Sequence, residues 1–343
     1  MASAGQVLNA PAPPCLPTGR GPLSAFVLEH LNQPVHPLGP GPAIADDPRA
    51  GDDFHLALYV CYELHYRGFA GVDERWEWEP SLLELRRRLE SAFEAALAAT
   101  APRVSVSATD IGRRLDELVS GVGPSLSRAM EARGTRRQFQ EFAIHRSAYQ
   151  LKEADPHTWG IPRLTGGPKS AMVEIQADEY GSGVPGESHA ELFAATMAGL
   201  GLDPTYGAYL DLLPGTTLAT VNLVSLFGLH RRHRGALVGH LALFEMTSAT
   251  PMARYSRALA RLGFDIVARR FYDIHVEADV HHAAVAAGAM ASGLAHQEPA
   301  IASDILFGAQ ALMAVEARFT RHLLDSWAAG RTSLLLPVPC LTR

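Results

Sequence analysis

Three side chains pose the first chemical question: His275, Asp279 and His282, spaced His-x-x-x-Asp-x-x-His. At 100° per residue they fall within about a 60° wedge of one helix face. Two imidazoles and a carboxylate on one face are donor types suited to Fe, Mn, Zn or Ni. Solvated surfaces and hydrogen-bonded cores also carry such histidines, so this triplet alone leaves both readings open. Four further residues change the balance: Glu153 in "YQLKEADPH", Glu179 in "EIQADEYG", His189, and Glu245 among Leu241, Leu243, Phe244 and Met246. Singly, each has an ordinary role as a solvated helix end, a surface acid, a cap or an arginine partner. A carboxylate buried among apolar side chains is costly unless it is paired or binds a cation. Together the seven supply four carboxylates and three imidazoles, and four negative charges balance two divalent cations. Helical bundles build dinuclear iron or manganese centres from such sets, carried on separate helices.

Elements able to position these groups are helical throughout. Leu56, Tyr59, Val60 and Leu64 recur at helical spacing, and Leu82, Leu83, Leu85 and Leu89 repeat the pattern beyond Pro80. Further helices are expected over 111–118, 138–152, 171–179, 190–200, 208–227, 234–247, 252–262, 268–291 and 299–328. Strand-like alternation is scarce, so the fold class is all-α. Residues 1–50 read as a Pro/Gly-rich, mostly irregular arm with one short helix near 22–32. Residues 51–130 read as an N-terminal helical extension, 131–330 as the core that carries the site, and 331–343 as a tail.

The chain has 343 residues and a net charge of −6, with 47% hydrophobic and 19% charged residues. That composition suits a packed globular protein and offers no basic field for nucleic acid or an anionic membrane. Cys15, Cys61 and Cys340 are too few and too scattered for a disulfide framework, a structural zinc site or an iron–sulfur cluster. Neither a signal peptide nor an apolar run of about 18 residues is evident, so a cytoplasmic protein is expected.

The ordered set Glu…Glu…His…Glu…His-x-x-x-Asp-x-x-His resembles the haem-oxygenase-like diiron oxidase and oxygenase superfamily of iron-containing redox enzymes. So do the phrases "LKEADPHTWGIPRL", "VEIQADEYGSG", "HAELFAATMAGLGLD", "SLFGLHRRHRGALVGHLALFE" and "HVEADVHH". The likeness covers roughly residues 136–330, and residues 52–95 are similar to the helical extension of such proteins. It implies a seven-helix core without haem, in which Glu153, Glu179, His189, Glu245, His275, Asp279 and His282 hold two Fe(II) ions. O2 would be the co-substrate and an external reductant would supply electrons. The extra glutamate and the Gly/Pro loop between Glu179 and His189 resemble the N-oxygenating branch. The resemblance therefore implies N-oxygenation of an amino-acid-derived amine or guanidine in specialised metabolism, by a homodimer. Alternatives are oxidative C–C cleavage or desaturation of an amino or fatty acid at the same site, and a non-catalytic helical binding protein.

Other residues carry lesser expectations. His281 should point away from His282, and His230 and His233, in "LHRRHRG", should face solvent. His145 and His157 bracket Glu153 and are candidates for supporting the ligands, whereas His240 should sit elsewhere on the helix of Glu245. His65 should pack within the extension. Arg146, Arg163 and Arg270 are candidates to hold a substrate carboxylate, with surface salt bridges as the simpler alternative for each.

Overall fold

The structure, a computed structural model, describes residues 12–121 and 123–338. Regular structure among them is helical throughout. The N-terminal part carries α1 (Pro22–Leu31), α2 (Asp52–Glu63), α3 (Pro80–Thr100), α4 (Ile111–Val119) and α5 (Leu126–Arg133). Then follow α6 (Arg136–Gln150), the single turn α7 (Asp155–Thr158), α8 (Gly166–Glu179), α9 (His189–Gly199) and α10 (Gly215–Leu229). The chain closes with α11 (Arg234–Arg261), α12 (Ile266–Val285), α13 (Gly293–Gln297) and α14 (Ala302–Ala328). The candidate site residues lie on or just beyond α6, α8, α9, α11 and α12, and one apolar cluster joins these helices to the N-terminal ones.

Local chemistry sets the helix starts. Thr135 and Gln138 form a reciprocal capping box on α6, and Ser188 and Glu191 form another on α9. The first fixes the helix that leads to Glu153, and the second the helix that begins at His189. Asp265 accepts from the Ala268 amide and starts α12. The apolar cluster runs unbroken from Phe54, Leu56 and Tyr59 of α2 into Leu218 and Val221 of α10. Outside α1 the described part of the Pro/Gly-rich arm is irregular but fastened: Arg20 donates to the carbonyls of Leu213 and Leu210 at 2.6 and 2.7 Å.

Several boundaries differ from expectation. The two helices expected over 234–247 and 252–262 are one, α11, which passes straight through Pro251. A mid-helix proline forfeits a hydrogen bond and crowds the preceding turn. Here α11 is clamped between α12 and α14, so tertiary packing overrides the local penalty. The helix expected over 268–291 stops at Val285 and continues as a π-helical stretch, Ala286–Ser292. In place of a helix from 208, a 3-10 turn at Leu210–Leu212 precedes Pro214, which caps α10. Helix α5 was not foreseen, because its eight residues, LSRAMEAR, are too short for a clear apolar period; Ser125 caps it. By length and composition Pro299–Ala328 could cross a membrane, contrary to the expectation that no stretch would qualify. Its buried face is part of the core wall, with Ile305, Leu312, Phe319 and Leu323 inside.

Helices α11 and α14 touch backbone to backbone. A Cβ on Gly239 would lie 1.8 Å from the Ile305 carbonyl oxygen, and one on Gly308 would lie 1.9 Å from that of Ala236. Only hydrogen fits at either position, so two glycines lock the pair at a fixed register.

Candidate metal centre

Five segments deliver the seven residues to one buried place. Glu153 stands on the turn leaving α6, where Ala154 adopts φ 77°, a left-handed conformation costly for a residue with a side chain. Gln176 holds that turn, donating from Nε2 to the Ala154 carbonyl at 2.8 Å. Glu179 is the last residue of α8 and His189 the first of α9. Glu245 projects from mid-α11, while His275, Asp279 and His282 project from one face of α12, as their spacing requires. All seven are buried.

The donor atoms fall into two overlapping groups. Glu153, Glu179, His189 and His275 bring one oxygen or nitrogen each within 4.8 Å of one another, and Glu179, Glu245 and His282 do the same. Glu179 belongs to both. His282 Nδ1 lies 3.5 Å from Glu245 Oε2 and 3.9 Å from Asp279 Oδ1, which sets Asp279 beside the second group. His275 Nε2 lies 4.0 Å from Glu153 Oε2. His189 Nδ1 is 2.8 Å from Glu179 Oε2 but off the line a hydrogen bond needs. Glu153 Oε2, His189 Nδ1, Asp279 Oδ1 and His282 Nδ1 are all buried without a hydrogen-bond partner. Orphans of this kind are expensive, and native proteins avoid them unless something else satisfies them. A cation would do so for every one of these atoms, and oxygen and imidazole donors without thiolate suit iron or manganese.

The protonation pattern shows the same strain. Burial, then the charges of Glu179, Asp279 and Glu245, pushes the Glu153 carboxyl well above its ordinary range. Burial and Glu245 raise Asp279 to about 8, and burial raises Glu245. Glu179 runs the other way: burial would raise it, but His189 and the other two imidazoles hold it at about 2. Burial, then His189, lowers His275 to about 4. For His282 burial is outweighed by its contacts with Glu245 and Asp178, which raise it to about 9. His189 is likewise raised, with Glu179 outweighing burial. Protons are thus shared among mutually repelling carboxylates in the place where divalent ions would serve better.

Supporting contacts hold the rings and carboxylates. His275 Nδ1 meets the Phe271 carbonyl at 2.6 Å, which leaves Nε2 facing the cluster. Ser248 donates to Asp279 Oδ2 at 2.5 Å, and His282 Nε2 lies 3.0 Å from Asp178 Oδ2. Sequence reasoning missed both Ser248 and Asp178. Ser248 was findable, because it follows Glu245 by three residues and shares its face. Asp178 was not, because it adjoins Glu179 and leaves the same helix end about 100° away from it.

The remaining expectations divide. His157 lines the cavity beside Glu153 and Glu179 and pairs with His240 at 3.0 Å. His145 does not reach the site, and instead bonds Thr217 and Ser333. His281 points outward to Glu174, and His65 pairs with Glu77 inside the extension. The solvent-facing expectation fails for His233, which is buried and bonds Glu94, and in part for His230, which is half-buried on Glu90. Helix α3 packs over their turn and brings both acids, a tertiary contact the local arginines concealed. None of the three candidate arginines is free for substrate. Arg146 forms a two-pronged pair with Glu316, Arg163 caps the Gly228 and Leu229 carbonyls, and Arg270 pairs with Glu187. Cys15 is exposed and Cys61 is buried in α2, while Cys340 lies outside the described residues.

Comparison with known proteins agrees with this geometry. A solved structure of a CADD-like protein of unknown function from Nostoc punctiforme superposes with a TM-score of 0.52 at 15% identity, covering 64% of this chain and 97% of that one. It shares the fold. Among curated proteins, the nitrosourea synthase of Streptomyces achromogenes subsp. streptozoticus is 26% identical over 136 residues, which is 40% of this chain and 29% of that protein. The family model described as iron-containing redox enzyme matches residues 140–317, a span that includes all seven clustered side chains. A helical core that buries this donor set, matched over more than half its length, belongs to the family of iron-containing redox enzymes.

Proposed function

We propose that the protein is a non-haem diiron oxygenase that oxidises the nitrogen of a small amine. The observation that carries the reading is the sharing of Glu179 between two buried donor groups. Glu153, His189 and His275 would complete one iron site, and Glu245, Asp279 and His282 the other. Two Fe(II) ions there would supply electrons to O2, with an external reductant restoring them. The chain's own residues shape the rest. Tyr149, Leu241 and Phe244 line the cavity beside the donors, and Tyr149 and Phe244 meet edge to face at 5.7 Å. Such a wall excludes bulk water from the reacting groups. Burial, then its neighbour His240, keeps His157 well below the usual imidazole range. It is therefore neutral at pH 7, and the His157 Nε2 to His240 Nδ1 bond holds a single proton.

Support for nitrogen as the reacting atom comes from the lining and from the similarity to nitrosourea synthase, whose named product class bears an oxidised nitrogen. Among the described residues no arginine or lysine lines the cavity. Apart from the residues assigned to iron, its polar lining is Tyr149, His157, Gln176 and Ser248, neutral groups that suit an N–H donor and offer no counter-charge to a substrate carboxylate.

Anaerobic Fe(II) titration of the metal-free protein, followed by mixing with O2 and visible spectroscopy, tests the proposal. Two irons per chain and an O2-dependent transient are expected, both lost in Glu179→Ala. Amines that hasten decay of the transient, with N–O bonds in the products, would establish nitrogen oxidation. An alkene or a shortened carbon skeleton would replace that reaction with desaturation or cleavage. Absence of iron uptake would overturn the reading altogether.

A further inference from the structure

The three imidazoles of the cluster are not held alike. His275 is fixed within its own helix by the Phe271 carbonyl. His282 is fixed from another helix: its Nε2 lies 3.0 Å from Asp178 Oδ2 at the end of α8. Asp178 precedes Glu179, so the two carboxylates leave the helix about 100° apart. Glu179 turns into the cluster, while Asp178 sits behind His282 with its side chain half-exposed. The other oxygen of Asp178 accepts from Ser182 Oγ at 3.1 Å. Ser182 reaches back because the chain there is wound left-handed, with φ 66° at Gly181, 51° at Ser182 and 78° at Gly183. A residue with a side chain at such φ is strained, and the strain places its hydroxyl over the helix end.

An imidazole that donates Nε2–H to a carboxylate has only Nδ1 left to offer a lone pair. Nδ1 of His282 is the buried, unpartnered atom that faces Glu245 and Asp279. We infer that Asp178, steadied by Ser182, is a positioning residue that selects Nδ1 of His282 as the metal-binding nitrogen and completes the Glu179–Glu245–Asp279–His282 half of the centre. The inference rests on the dinuclear reading above. It predicts unequal halves, because only this one depends on a half-exposed acid outside the cluster. Removing a partner of this kind typically weakens metal binding about 10- to 100-fold.

The test uses full-length protein in two measurements. Anaerobic Fe(II) titration of wild type, Asp178→Ala and Asp178→Asn reads the two binding steps separately. Nitrogen-15 histidine NMR of the Zn(II)-loaded proteins, Zn(II) being a diamagnetic stand-in, reads which ring nitrogen of His282 carries hydrogen. Wild type is expected to bind two ions and to show a protected Nε2–H. Asp178→Ala should keep the first ion, weaken the second by about 10- to 100-fold, and lose that protected proton. Asp178→Asn retains an acceptor oxygen and should recover most of both. Equal binding of both ions by Asp178→Ala, with the His282 signal unchanged, would overturn the inference and leave the dinuclear reading intact. A wild type that binds no second ion would sink the dinuclear reading first.

Discussion

Lys152 and Glu63 make the most exposed prediction, although neither is exposed to solvent. The pair meets at 2.8 Å with side chains 1% and 0% accessible, and links α2 of the extension to the turn that carries Glu153. Tyr206 donates to the same Glu63 oxygen at 2.7 Å, and the ammonium sits 4.1 Å above the ring of Tyr66. At the 2.8 Å of the ion pair, with an effective dielectric constant of about 20, the attraction is roughly 6 kcal/mol, set against the desolvation of two ions. Replacing only the lysine leaves the carboxylate buried with no counter-charge, a change that costs about 3–5 kcal/mol. An unfolding entropy of about 2.1 cal/mol/K per residue gives a chain of this length roughly 0.7 kcal/mol/K, so Lys152→Met should lower Tm by about 4–7 °C. Calorimetry on metal-free protein checks this without interference from iron. The double variant Lys152→Met, Glu63→Gln should recover at least half of the loss, because no unpaired charge remains. A single-variant shift below about 1 °C, or a double variant worse than the sum of the singles, would refute the reasoning.

Two further perturbations test the fold around the site. His55 is fully buried, and burial lowers it to about 4. The unfolded chain therefore takes up a proton there below about pH 6.5 while the folded chain does not, so stability present above pH 6.5 is lost as pH falls towards 4. The destabilisation caused by His55→Gln should accordingly shrink by about 2.5 kcal/mol between pH 7.5 and pH 4.5, read by denaturant melts. Comparing variant with wild type at each pH cancels the contributions of Glu153, Glu245 and Asp279, whose raised values act in the opposite direction, and of the lowered Glu179. Gly239→Ala should cost about 3 kcal/mol or more, because its methyl collides with the Ile305 carbonyl and the helices must part. A melting temperature equal to wild type would show that α11 and α14 are not held by that contact.

That the seven candidate residues would cluster was legible from the helical period of the α12 triplet, from the residue types, and from the family resemblance that joined them into one set. The triplet on α12 needs only 100° per residue, and four buried acids demand a counter-charge wherever the fold puts them. What stayed hidden depends on contacts between distant segments. Nothing local marks Glu90 and Glu94 as partners of His230 and His233, or Glu316 as the partner of Arg146, since 140, 139 and 170 residues separate those hydrogen-bonded pairs. Pro251 misled for the same reason: its local rule is sound, and the flanking helices overrule it. The π-helical turn after Val285 leaves no signature in a run of alanine, glycine and methionine, because its wider winding is set by what packs around it.

Glu245 and the His275–Asp279–His282 triplet ride on helices of opposite mechanical character. Helix α11 is keyed into α14 where main chains touch at Gly239 and Gly308, so it can neither slide nor rotate without collision. Helix α12 instead runs into the π-helical stretch Ala286–Ser292, where each turn is wound one residue too loosely. Glu245 is therefore fixed by main-chain contact a turn and a half away at Gly239, whereas the three α12 side chains ride on a helix whose far end leaves α-helical winding altogether.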